Sequence, residues 1–156
     1  MLQFILDSKP VLVGLHLGFA ILGIDLLLWH LGELAASVRT NKRMKWISGL
    51  SAASFLMSWI FGGYYYVNYY GSLVKPIILK GTVPWAHTVS MEAKEHIFLF
   101  ILPMVLTVFL MSEIFIDELK SLDLKRPLIF LLSLIVGLAL LMGLMGFVIS
   151  AAARWA

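Results

Sequence analysis

Four long apolar runs separated by short polar clusters set the pattern of this chain. Read as helices, they cover about residues 10–38, 45–70, 91–116 and 127–153. Each is longer than the roughly 18–20 apolar residues that carry an α-helix across a bilayer. Ser8 and Pro10 are placed to cap and open the first helix, and Ser90 to cap the third. The second and third runs are joined by GSLVKPIILKGTVPWAHTVS, whose Gly71, Pro76, Gly81 and Pro84 are expected to interrupt any continuous helix. Its Ile77 to Leu79 suit the membrane interface. The expected fold is therefore all-α: a polytopic membrane protein, one four-transmembrane-helix bundle spanning residues 1–156.

Composition points the same way. With 61% hydrophobic and only 13% charged residues, the chain has too little polar surface to coat a water-soluble domain. The first run is longer than the core of a signal peptide and has no basic leader, so it reads as a retained helix. The absence of cysteine excludes disulfides, thiolate metal sites, iron–sulfur clusters and covalently attached c-type haem.

Positive charge gathers in two connections. Arg39, Lys42, Arg43 and Lys45 follow the first helix, and Lys120, Lys125 and Arg126 follow the third. The positive-inside rule makes that side cytoplasmic. The expected topology is N-out/C-out, in a bacterial-type inner (cytoplasmic) membrane with both termini outside. The net charge of +3 is accounted for by this topology and implies no nucleic-acid partner.

Ionisable groups inside a span are costly and are functional candidates by default. The first helix carries His16, Asp25, His30 and Glu33; the third carries Glu92, Glu95, His96 and Glu113, with His87 just before it. The second and fourth have none in their interiors, so the chemistry falls between the first and third. His16 and His96 sit at similar depth near the outer face, placed to ligate one centre from opposite sides. His30 follows His16 by fourteen residues, which returns it to within about 40° of the same face, about 21 Å deeper.

Paired histidines at this spacing, with Gly14, Gly18 and Gly32 as small neighbours, resemble the ligand pattern of the b-type membrane cytochromes that hold one or two haems. The resemblance implies haem b bound by His16 and His96, with His30 at an inner position. It implies electron transfer between a quinone and an external redox partner, within a larger redox complex or a homo-oligomer. It covers the first helix and departs on the third, where Leu110 stands fourteen residues beyond His96 and Met111 is the nearest substitute.

Two other readings stand beside it. His16, His96, Glu92 and His87 are a donor set for zinc, iron or copper, although no HExxH motif accompanies them. A structural or assembly subunit needs the polar groups only for helix packing. Individual residues have plainer roles as well. The tyrosines of GGYYYVNYYG suit an interfacial belt, and Glu92 suits the first turn of a helix. Lys94 reads as a surface charge. Asp25 suits a contact with Ser51, Ser54, Ser58 or a partner subunit, and Glu33 a pair with Arg39. Pro103, beside Thr107, is placed to kink the third helix and widen a cofactor slot. Gly14 with Gly18, and Gly146 with Ser150, suit close helix contacts.

Overall fold

The computed structural model describes residues 2–37, 41–114 and 116–155. Among them there are helices and no strands. A short α1 (Leu2–Asp7) leads into α2 (Lys9–Ala35), and α3 (Asn41–Tyr65) returns. Then come α4 (Lys75–Lys80), α5 (Glu92–Met111), α6 (Ile116–Ser121) and α7 (Lys125–Trp155). Ser8 does occupy the N-cap position of α2, with Pro10 in the first turn, but its side chain makes no capping bond. At the far end of α2, Ser37 takes a left-handed backbone with φ 57°. Asp123 does the same after α6, at φ 55°. There the Leu124 N–H bonds Leu119 O (2.8 Å) and the Asp123 N–H bonds Lys120 O (3.2 Å), the paired closure that ends a helix on a left-handed residue.

Among the described residues three helices are long and apolar enough to cross a membrane: Lys9–Ala35, Ala86–Met111 and Lys125–Trp155, with mean hydropathies of 2.3, 1.8 and 2.8. The expected second span, α3, is not in this group. Its first turn is NKRMK, and serines stand at 48, 51, 54 and 58. Those serines are buried, and three of them make interhelical hydrogen bonds. Ser48 Oγ meets Ser112 Oγ at 2.8 Å, Ser51 Oγ donates to Gly23 O at 3.0 Å, and Ser58 Oγ donates to His16 O at 2.9 Å. Hydrogen bonds and close packing hold helices together where lipid removes the hydrophobic drive. Close packing is seen at Gly23, where an added Cβ would lie 2.9 Å from the Phe55 ring.

The joining stretch departs from the expected break. Residues Tyr66–Val74 continue α3 as a π-helix, straight through Gly71. Pro76 falls within the first turn of α4, where its missing N–H costs nothing. Only Gly81, extended at ψ −170°, and the turn at Pro84 interrupt the helix. A second π-helix, Ala86–Met91, then runs directly into α5. Ser90 is buried inside it rather than capping a helix. The long helices pack in a ring: α2 touches α3 and α7, and α5 touches α3 and α7. One half of the ring is filled by a core including Leu27, Phe55, Val105, Leu132 and Ile135. At the other end, Tyr70, Ile78 and Ala86 pack on Ile149 and Ala152 of α7 and form a cap.

Candidate functional site

Beneath the cap the four long helices part around a cavity of about 730 Å³. The start of α2, the end of α3, the start of α5 and the end of α7 all contribute to its wall. His16, in the second turn of α2, stands on this wall. Its Nδ1 lies 2.9 Å from Ser58 O and 3.0 Å from Ser58 Oγ. A carbonyl oxygen only accepts, and the Ser58 hydroxyl proton is engaged by His16 O. The neutral ring therefore carries its proton on Nδ1. Nε2 keeps its lone pair, with no hydrogen-bond partner among the described residues. This is the tautomer in which a histidine acts as an Nε2 ligand, oriented by a backbone carbonyl behind it.

The ring fits because residue 62 is glycine. A Cβ there would fall 2.4 Å from His16 Nδ1, whereas Gly63, Gly14 and Gly18 have nothing within 4 Å. Gly62 thus makes the slot for the imidazole, while Gly14 and Gly18 face outward.

Across the cavity stand Lys94 and Glu95 of α5. Lys94 Nζ rests against α7, 3.3 Å from where a Cβ on Gly146 would be. It has no ion-pair partner among the described residues and lies close enough to act electrostatically on His16. Glu95 Oε1 is buried without a hydrogen-bond partner, and its carboxylate stands beside the Tyr66 hydroxyl. Lys9 and Arg154 complete the lining at the mouth, and Lys9 also lies 5.7 Å above the Tyr69 ring.

The other sequence-predicted residues lie elsewhere. Glu92 and His96 are exposed on the outer side of α5, with His96 Nδ1 2.6 Å from Glu92 O, and neither lines the cavity. His87 is buried in the cap and bonds the Tyr70 hydroxyl through Nδ1 at 3.0 Å. His30 is fully buried at the far half of α2, with no partner for either ring nitrogen among the described residues. Glu33, one turn on, accepts from Trp29 Nε1 (2.8 Å) and pairs with Arg43 (2.6 Å). Arg39, the expected partner, lies outside the described residues. Among those residues no three His, Asp or Glu side chains come close enough together to hold a metal ion. His16, His96, Glu92 and His87 are accordingly not gathered at one point.

Asp25 is exposed at mid-helix, while Ser51 and Ser58, two of its expected partners, bond backbone carbonyls of α2 instead. Thr107 bonds Pro103 O at 2.9 Å, and both are exposed, away from the cavity. Sequence reasoning missed Ser58, Gly62, Lys94, Lys9 and Arg154. A helical projection carries a signal for Lys94: it is two residues from Glu92 and from His96, so it lies on a different face from both. No known protein family, curated protein or solved structure matches the chain.

Proposed function

We propose that this chain is an integral membrane cytochrome of the b type, holding one haem in the four-helix cavity with His16 as an axial ligand. The observation that carries this reading is the His16 tautomer, an imidazole pinned by Ser58 whose Nε2 lone pair is free at the wall of a large apolar cavity. The cavity volume falls within the roughly 300–1,000 Å³ typical of cofactor sites. Lys9 and Arg154 at the mouth match the two acidic groups of a haem. When bound, haem supplies reversible one-electron transfer whose potential the protein tunes by ligation and burial. The polypeptide contributes the ligand, its orientation, and the exclusion of water by the cap. A haem held there would serve electron transfer between this site and a membrane quinone or an external partner.

In this reading α3 is a fourth crossing, since Leu50, Leu56, Trp59 and Ile60 are exposed along it. The basic residues Lys42, Arg43, Lys45, Lys120, Lys125 and Arg126 stand at the end opposite the cavity. The cavity and both termini are then on the outer side of a bacterial-type inner membrane.

A second reading, a quinone head group in the same cavity, is favoured by the unpartnered Glu95 Oε1 beside Tyr66. The deciding experiment is an optical spectrum of the purified protein, oxidised and reduced, prepared so that native cofactors are kept. A haem spectrum lost in His16→Ala supports the cytochrome. A haem-free preparation that contains quinone overturns it in favour of the second reading.

A further inference from the structure

Below the mouth, two nitrogen-bearing side chains stand on opposite walls of the cavity. His16 lies at the α2–α3 seam, against Ser58 and Gly62. Lys94 Nζ lies at the α5–α7 seam, against Gly146. Because α2 and α5 each touch α3 and α7, these seams are opposite sides of the ring. Each also lies well below the residue of its wall that stands at the mouth. His16 is seven residues below Lys9 on α2, about 10 Å along the axis, and Gly146 is eight residues below Arg154 on α7, about 12 Å.

We propose that Lys94, rather than His96, faces His16 as the second axial ligand in this cavity. The inference rests on the haem reading above. Three observations support it. Lys94 is the nitrogen-bearing side chain of α5 that lines the cavity. It has neither ion-pair nor hydrogen-bond partner among the described residues, although an unpaired lysine at membrane depth is costly. His96 is exposed, on the opposite side of α5, with Nδ1 engaged by Glu92 O. An amine ligates through its lone pair, so the nitrogen–iron bond forms as one ammonium N–H breaks, and that proton leaves to water at the mouth. The product is a six-coordinate centre with one imidazole and one primary amine.

The test reads the ferric protein by electron paramagnetic resonance and near-infrared magnetic circular dichroism. The expected wild-type signal is low-spin, with a charge-transfer band in the imidazole–amine position rather than the bis-imidazole one. Lys94→Leu and Lys94→Arg should both convert the centre to high spin with haem still bound. Arginine keeps the positive charge but stays protonated and does not ligate. His96→Ala should leave the wild-type spectrum unchanged.

A bis-imidazole band that disappears in His96→Ala would overturn Lys94 and leave the His16 haem in place. So would a wild-type centre that is already high-spin, or a low-spin signal retained in Lys94→Arg. Absence of haem from the wild type would overturn the underlying reading instead. The wild-type band position decides the ligand pair without any variant, so poor folding of the Lys94 variants would not protect the inference.

Discussion

Gly62→Ala isolates the geometry on which the site depends. The added Cβ would stand 2.4 Å from His16 Nδ1, 2.9 Å from its Cε1 and 3.1 Å from its Cγ. Ordinary contact begins near 3.4 Å, so the ring must retreat by about 1 Å. It has no slack to do so, because Nδ1 is held by both oxygens of Ser58 at 2.9 and 3.0 Å. Moving the ring breaks those bonds and strands a part-buried N–H, at a cost of about 1–3 kcal/mol. Against this, alanine favours a helix over glycine by about 1 kcal/mol. Gly63→Ala is the internal control: it gains the same propensity and meets nothing within 4 Å. The two variants should therefore differ by about 1–3 kcal/mol, with Gly63→Ala the more stable. At about 2–4 °C per kcal/mol for a chain of this size, thermal unfolding of the detergent-solubilised proteins resolves the gap. Equal stability of the two variants would refute the placement of His16 against α3 and, with it, the tautomer argument.

Three further substitutions probe separate parts of the bundle. Tyr70→Phe removes the hydroxyl that bonds His87 Nδ1 in the cap and leaves a buried ring nitrogen unmet, which should cost about 1–3 kcal/mol; hydrogen exchange should accelerate over residues 86–91 before the rest of the chain. Arg43→Ala deprives the buried Glu33 carboxylate of a cation and leaves it, among the described residues, Trp29. Arg43 is itself 46% exposed, so the loss should be about 1 kcal/mol at most and should shrink as salt is added to the unfolding assay. Asp123→Gly relieves a left-handed backbone (φ 55°) and should raise stability by about 0.5–1 kcal/mol, read as a higher unfolding midpoint.

The all-α architecture and the four long helices were legible, and apolar length marks three of them as membrane-crossing. The fourth was blurred by the same serines that hold α3 to its neighbours: Ser48, Ser51 and Ser58 lower its hydropathy on the face where each finds a buried partner. The stretch from Gly71 to Ser90 misled in the opposite sense. A glycine inside a π-helix and a proline in a first turn both leave the helix intact, and only the positions around them distinguish those cases from breaks.

At the site, His16 could be singled out from its depth and its apolar surroundings. Lys94, an α5 residue that lines the cavity, could not, because depth says nothing about which side of α5 faces inward. Lys94, Glu95 and His96 fall within three consecutive residues, and about 100° separates each from the next. The sequence thus indicated which turns of α2 and α5 carry ionisable groups, but not which of those groups line the cavity. Gly62 leaves the space that the His16 imidazole fills, and the Lys94 amine rests against Gly146 of α7. Small residues on two helices with no ionisable side chain in their interiors thus accommodate polar groups of the other two.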